Sequence, residues 1–281
     1  MVRMPAFGLD GPWRDRPGFA QTMEQITGLA WMTGHPEDQP RIQRGPCDPN
    51  GGLHAAFGAL IGLQHRDRTG EGCLIEAPMF EAAINVAAEP VIEWTAHNLR
   101  VEREGNRSPY AAPQNLYACE GFENWLAVSC ATDEQWKSLA AVIGHPELAD
   151  DPSLATLADR RREHDRLDVV IGEWAAQQEL REAVATLVAA GVPAAETRDN
   201  RRSSGHPQNV FRGYCEDIDH SVVGIHPTPT LPFRYGSVDH WVRRPAPTLG
   251  QHNKEILGGM LGHSDVELAE LEEKGIIGDW P

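Results

Sequence analysis

Large apolar residues recur at helical spacing in one segment of the chain, DPNGGLHAAFGALIGLQHRDRTG. The periodic positions are Leu53, Ala56, Phe57, Leu60 and Ile61. This spacing predicts an amphipathic helix in which that face packs and the opposite face is solvated. We expect Asp48 at the N-cap, Pro49 at the first helical position and Gly70 at the end of the helix.

Shorter strand patterns alternate with helical patterns along the rest of the chain. We expect strands at CLIEA and NWLAVSC, and helices over 20–34, 78–98, 132–144, 158–174, 179–190 and 264–275. The pairs Thr132 with Gln135 and Ser264 with Glu267 have the spacing of capping boxes. Pro90 is expected to kink its helix, because proline cannot supply the hydrogen bond to the preceding turn.

This alternation indicates an α/β fold in which a smaller unit interrupts a larger one. We expect 1–113 to form a large-domain segment that carries the long helix. Residues 114–225 are then a small α+β domain, and 226–281 return to the large domain. Gly, Pro and Asn are frequent over 200–232, which is typical of short strands and loops.

Composition and charge exclude several classes of partner. The chain has 281 residues with 25 Lys+Arg against 41 Asp+Glu, a formal charge of −16, so we expect no binding to nucleic acid or to anionic membranes. No stretch approaches the ~18 unbroken apolar residues that a membrane span needs. The five cysteines are widely spread without a CxxC pair, which favours free thiols in a reducing cytoplasm over disulfides or zinc.

Asp48 is the first candidate for chemistry. A carboxylate at a helix N-terminus is commonly only a cap, but the same position keeps it ionised and fixed as a nucleophile. Gly51 and Gly52 on the next turn would let a bulky thioester approach the backbone. The adjacent Cys47 has no evident histidine partner in the sequence, which argues against a catalytic thiol.

Other chemical motifs are missing from the sequence. There is no GxGxxG after a strand and no GxxxxGK[ST], so nucleotide hydrolysis has no support. There is no HExxH, and His54 and His65 are better explained as solvated or packed histidines than as metal ligands. We therefore expect no metal site and no redox cofactor.

Several motifs occur together and in a characteristic order. They are GLDGPWRDRPGFAQTMEQITGLAWMTG, GPCDPNGGLHAAFGALIGLQHRDRTGEG, EGNRSPYAAP, AGVPAA and APTLGQHNKEILGGMLGHS. Together they resemble the family III CoA-transferases, the CaiB/BaiF group, which contains formyl-CoA and carnitine CoA-transferases and, as a branch, α-methylacyl-CoA racemase. The resemblance extends over nearly the whole chain. It implies an incomplete Rossmann-like large domain with an inserted small domain, and in the family an interlocked dimer.

The resemblance also implies roles for individual residues. Asp48 stands where family transferases place the aspartate that forms an acyl anhydride and then an aspartyl-CoA thioester. Arg16 and Phe19 match a stretch that lines the CoA channel, and Met79 matches another wall residue. A CoA thioester is then the substrate, a carboxylic acid is the acceptor, and no cofactor is permanently bound.

The sequence differs from the family pattern in three ways, and these differences limit which family roles can be assigned to its residues. The chain begins where an N-terminal third of family members ends, so we expect a truncated protein or one piece of a split enzyme. The glycine-rich loop after the GN dipeptide reads RSPYA over 107–111, which argues against oxalate or formate specificity. Phe19 and Ala20 replace the His-Asp pair of the racemase branch, and racemisation needs a base on each face of the substrate carbon.

Three functional hypotheses follow. The leading one is a CoA-transferase that acts as a homodimer or with a chain that supplies the N-terminal part. A second is an acyl-CoA racemase or isomerase of the same fold. A third is a noncatalytic chain that partners a full-length subunit.

Overall fold

A computed structural model describes residues 1–279 and shows an α/β protein. Its contacts divide the chain into two compact units, of which the first is Met1–Thr197 and the second begins at Arg198. The first unit contains two hydrophobic cores, one built mainly before residue 100 and the other after residue 115. Among residues 1–279, no helix combines the length and the apolar character required to cross a bilayer.

The first core is formed by helices around a very short parallel sheet. The elements of this part of the chain are β1 (Val2–Arg3), α1 (Ala20–Ile26), α2 (Cys47–Thr69), β2 (Ile75–Glu76), α3 (Met79–Val86) and α4 (Ala88–His97). β1 and β2 pair in parallel, with Val2 opposite Ile75. Small side chains dominate the buried positions, with Met23 and Leu29 as the largest buried apolar residues. Small residues allow the helices to approach one another closely.

Glycine and alanine form the packed face of α2. Cys47, Gly51 and Ala55 are buried, and β2 lies directly against the glycines that follow on the same face. A Cβ atom on Gly62 would lie 2.5 Å from Ile75 Cδ1, and one on Gly58 would lie 3.0 Å from Ile75 Cγ2. These glycines are therefore required for the close approach of strand and helix.

The large apolar residues of α2 lie on the opposite, exposed face, so the expectation that they pack is wrong for this chain. The exposed fractions are 70% for Leu53, 65% for Phe57, 65% for Leu60 and 53% for Ile61. We call these four residues the α2 apolar stripe. The glycine face takes the place next to β2, because only residues without large side chains fit there.

Three expected helix boundaries also differ. α2 begins at Cys47 with Pro46 as its N-cap, so Asp48 lies within the first turn rather than at the cap. α1 ends at Ile26, eight residues earlier than expected, and turns follow it. The helix that contains Pro90 is broken at Ala87 into α3 and α4, since proline disturbs the turn that precedes it. The end of α2 is confirmed, because Gly70 adopts φ 79° as its C-cap.

The second core of the first unit packs helices against an antiparallel sheet. Its elements are β3 (Gln114–Ala118), β4 (Trp125–Ser129), α5 (Asp133–Val142), α6 (Leu157–Arg162), α7 (His164–Ala175), α8 (Leu180–Ala189) and β5 (Ala194–Thr197). The strand order is β3-β4-β5, with β4 in the middle. Trp136, Leu139 and Ile171 are among its fully buried residues. The capping box of Thr132 and Gln135 at the start of α5 is confirmed.

The second unit contains short elements and long connections. They are α9 (Pro207–Arg212), β6 (Cys215–His220), β7 (Gly224–Pro229), a π-helical segment at Lys254–Met260 and α10 (Asp265–Glu273). β6 and β7 pair as an antiparallel hairpin, so the expectation of short strands in this Gly- and Pro-rich region is confirmed. The capping box of Ser264 and Glu267 is confirmed at the start of α10. Gly250 must be glycine, because an added Cβ would lie 1.9 Å from the Gly278 carbonyl oxygen.

Candidate active site

The Asp48 carboxylate projects from the first turn of α2 and is exposed. Backbone N–H groups at a helix N-terminus have no partner within the helix, and the helix dipole favours negative charge there. Asn50 in the same turn anchors the helix start, since its Nδ2 donates to the Ala82 carbonyl of α3 at 2.7 Å. The position therefore combines a fixed backbone with a carboxylate that a substrate can reach.

Met79 lies beside the same turn of α2. A Cβ atom on Gly51, three residues after Asp48, would lie 3.5 Å from Met79 Cγ. Gly51 is about one helical turn from Asp48, so Met79 packs against the start of α2, close to the turn that carries Asp48. The Met79 N–H donates to the Pro5 carbonyl at 3.0 Å, so the segment after β1 holds Met79 in place.

Arg16 is joined to this region by a chain of aromatic rings. Its Cζ lies 4.3 Å from the centre of the Trp13 ring, which makes an edge contact with Phe7 at 5.1 Å between centroids. The centroid of the Phe7 ring in turn lies 5.9 Å from that of Phe80, the residue after Met79. The guanidinium group is exposed and is available to an anionic ligand.

Phe19 stands at the start of α1. Its carbonyl accepts the Met23 N–H at 3.1 Å, and its side chain is 72% exposed. The packed residue at this point of the chain is instead Gly18, since a Cβ there would lie 2.3 Å from Met23 Cε. The exposed Phe19 ring is thus free to contact a ligand rather than needed for the core.

Glu24 is a functional candidate that the sequence pattern does not reveal. Its side chain is fully buried, and its two oxygens accept the N–H groups of Arg44 and Gly45 at 3.0 and 2.8 Å. These two residues precede α2 and both have positive φ. A glutamate on a short helix gives no sequence signal of such a role, because the partner groups belong to the backbone.

Cys47 does not have the properties of a nucleophile. The thiol is buried, and burial raises its pKa, with further increases from the nearby charges of Glu24 and Asp48. A raised pKa keeps the sulfur protonated at neutral pH. Between the two adjacent candidates, the geometry favours the Asp48 carboxylate.

A network of polar side chains ties the GNR segment to α7. The Arg107 Nη2 donates to Asp165 at 2.5 Å and to Asp168 at 2.7 Å. The buried Tyr117 hydroxyl donates to the other Asp168 oxygen at 2.8 Å, and the pKa of Tyr117 is raised by burial and by the Asp168 charge. The sequence GNR at 105–107 is typical of a turn, and the structure has a turn at 105–106. Arg107, which follows it, links this segment to α7 in the second core.

A cavity of about 860 Å³ lies next to this network, on the face of the β3-β4-β5 sheet. Its walls are mainly small and apolar, and Asn106, Arg107 and Ser129 contribute polar groups. Within residues 1–279, no three His, Cys, Asp or Glu side chains are grouped closely enough to hold a metal ion.

The chain is similar to known CoA-transferases over its length. Residues 1–253 match the family described as CoA-transferase family III. The chain is 31% identical to a succinyl-CoA–D-citramalate CoA-transferase of Chloroflexus aurantiacus, with 99% of this chain and 69% of that protein covered. It is 28% identical, with the same coverage, to the beta subunit of a succinyl-CoA–L-malate CoA-transferase of that organism.

The fold is similar to solved structures of the same group. A CaiB/BaiF family protein from Brucella suis superposes with a TM-score of 0.81 at 26% identity, covering 92% of this chain and 67% of that one. Since the family match spans 253 of 281 residues, the chain belongs to CoA-transferase family III, a family of enzymes that transfer CoA.

Proposed function

We propose that this chain moves CoA from an acyl-CoA thioester to a carboxylic acid through covalent intermediates on Asp48. The observation that carries the proposal is the exposed carboxylate in the first turn of α2, in a chain that belongs to CoA-transferase family III. A carboxylate nucleophile suits this exchange, because it divides one difficult transfer into several acyl transfers.

The proposed reaction consists of four successive acyl transfers. An Asp48 oxygen attacks the thioester carbonyl, the C–S bond breaks, and CoA thiolate leaves a mixed anhydride. The thiolate attacks the Asp48 carbonyl carbon, releases the donor carboxylate and forms an aspartyl-CoA thioester. The acceptor carboxylate then displaces CoA thiolate to form a second anhydride. The thiolate finally attacks the acceptor acyl carbon, giving the new acyl-CoA and free Asp48.

We infer that Arg16, Phe19 and Met79 contact the CoA moiety. Met79 packs against Gly51, about one helical turn from Asp48, and Phe19 exposes an apolar ring at the start of α1. The Arg16 guanidinium can bind a phosphate or carboxylate group. Because it already stacks on Trp13, the Arg16 side chain loses less conformational entropy when a ligand binds. No permanently bound cofactor is part of this proposal.

The relatives suggest a class of acids to test. Two of them are named for succinyl-CoA as donor, with D-citramalate or L-malate as acceptor. Others are named for oxalate with acetyl-CoA or formyl-CoA. We therefore propose a short dicarboxylic acid as the first class of acceptor and succinyl-CoA as the first donor.

We further propose that the active form contains a second chain, either another copy or a different subunit of a transferase complex. The α2 apolar stripe is an exposed patch of the kind that marks protein interfaces. The β1–β2 sheet has two strands, whereas parallel sheets are usually larger and covered on both faces. Relatives named as alpha and beta subunits of one transferase are consistent with a partner chain.

The cysteines support a reducing compartment. All five are free thiols, three of them buried. Disulfides are common in secreted proteins and rare in the cytoplasm. We therefore propose a cytoplasmic location.

Isotope exchange tests the proposed reaction against the racemase hypothesis. The purified chain is incubated with succinyl-CoA and ¹³C-labelled succinate, or with labelled malate as acceptor. A transferase moves the labelled acid into thioester, whereas a racemase introduces deuterium from solvent next to the thioester without moving the acid. Phe19 and Ala20 at the position of the racemase His-Asp pair favour the first outcome.

A further inference from the structure

We propose that Glu24 is a positioning residue for the reaction on Asp48, through the loop that precedes α2. This inference rests on the proposed function, because it concerns the geometry of that nucleophile. Glu24 does not itself reach the substrate, since its side chain is fully buried on the inner face of α1.

The contacts of Glu24 are specific and use both carboxylate oxygens. One oxygen accepts the Gly45 N–H at 2.8 Å, and the other accepts the Arg44 N–H at 3.0 Å. Burial of a carboxylate is costly unless hydrogen bonds replace its water, so two backbone donors are a substantial compensation. Gly45 is separated from Asp48 by only two residues, Pro46 and Cys47.

The loop held by Glu24 has an unfavourable backbone conformation. Arg44 has φ 61° and Gly45 has φ 131°, and an arginine with positive φ is uncommon. Such a conformation persists only when surrounding contacts fix it. Glu24 supplies two of them, and they determine the direction in which the chain enters α2.

The position of Asp48 depends on that direction. Because α2 begins at Cys47, the loop residues set the place and the orientation of its first turn. A nucleophile needs its oxygen about 3 Å from the thioester carbon, and a displacement of about 1 Å can slow such a step about 100-fold. Loss of the Glu24 contacts is therefore expected to slow attack by Asp48 more than it weakens CoA binding.

The test uses an ordered series of variants. Glu24→Gln keeps the shape and one acceptor oxygen, whereas Glu24→Ala removes both. Gln25→Ala on the exposed side of the same helix is the matched control. The rate of hydroxylamine-sensitive adduct formation on Asp48 is measured over a range of succinyl-CoA concentrations, and hydrogen exchange reports the Arg44 and Gly45 amides.

The expected result is a fall of about 10-fold or more in the maximal adduct rate for Glu24→Gln, with a half-saturating succinyl-CoA concentration within about threefold of wild type. Amide exchange at Arg44 and Gly45 should accelerate in the same variant, and Gln25→Ala should change neither. If Glu24→Ala does not fold, Glu24→Gln alone decides the question.

Two results would overturn the inference in distinguishable ways. A wild-type rate in Glu24→Gln, together with faster exchange of the loop amides, would show that the loop can loosen without affecting Asp48. Absence of an adduct on the wild-type chain would instead reject the proposed function, and the positioning role would fall with it.

Discussion

Asp168 accepts hydrogen bonds from Arg107 and from Tyr117 on its two oxygens, at 2.7 and 2.8 Å. Arg107 comes from the segment that leads out of the first core, and Tyr117 is a buried residue of β3. The Asp168 carboxylate on α7 therefore joins a surface arginine to the interior of the second core.

Replacement of Asp168 by asparagine should destabilise the fold. The buried Tyr117 hydroxyl and the Arg107 guanidinium both lose a charged acceptor. We expect the free energy of unfolding to fall by about 2 kcal/mol, which allows for the partial exposure of Arg107. Asp165→Asn is the matched control, because Asp165 also bonds Arg107 but its side chain is 91% exposed. Urea denaturation should show a lower free energy of unfolding for Asp168→Asn and no measurable change for Asp165→Asn. Equal decreases in the two variants would contradict the structural role of Asp168.

The stability of the first unit should fall as pH decreases below about 6.5. His164 accepts the Gln114 N–H at 3.1 Å on Nε2, and burial lowers the pKa of His164 below its ordinary 6.5. The Asp168 and Asp165 charges act against that shift, while Arg107 and Arg161 add to it. The unfolded chain thus binds a proton at a higher pH than the folded chain, so acidification favours unfolding.

His164→Gln provides the comparison for this pH effect. Glutamine keeps an acceptor for Gln114 but does not titrate. Between pH 7.5 and 5.5, the free energy of unfolding of wild type should fall about 1 kcal/mol more than that of the variant. Parallel pH profiles for the two proteins would show that His164 does not contribute.

The α2 apolar stripe should mediate association of the chain. Phe57→Asp combined with Leu60→Asp places two charges in the patch, and like charges across a symmetric interface repel. Light scattering after size exclusion should give a dimer for wild type and a monomer for the double variant. Val169→Asp, at an exposed apolar position of α7, is the control and should remain dimeric. A monomeric wild type, or a dimeric double variant, would contradict the prediction.

Much of the fold could be predicted because its signals are local. The capping boxes at Thr132 and Ser264, the end of α2 at Gly70 and the strand around Leu126 depend on neighbouring residues and occur as expected. The packing of α2 could not be predicted from periodicity. Large apolar residues indicate which side of a helix is apolar, but Gly58 and Gly62 decide which side β2 can approach.

The candidate site was predicted only in part. Asp48 stands out as a candidate nucleophile because a carboxylate before a helical pattern is visible in the sequence, although the helix begins one residue before it. Its role stays a prediction. Arg16, Phe19 and Met79 came from the family resemblance, and their roles remain proposals. Glu24 was missed because its hydrogen-bond partners are backbone groups 20 and 21 residues away, and no side-chain motif marks such contacts.

Covalent capture on Asp48 is the most direct test of the central claim. Purified wild type and Asp48→Asn are incubated with succinyl-CoA, and intact mass is measured with and without hydroxylamine. Asp48 is exposed, so its replacement should leave thermal stability nearly unchanged while reducing CoA transfer by more than about 10³-fold. The account predicts a hydroxylamine-sensitive adduct that maps to Asp48 in wild type and is absent from Asp48→Asn. An adduct on another residue, or undiminished transfer by a folded Asp48→Asn protein, would contradict it.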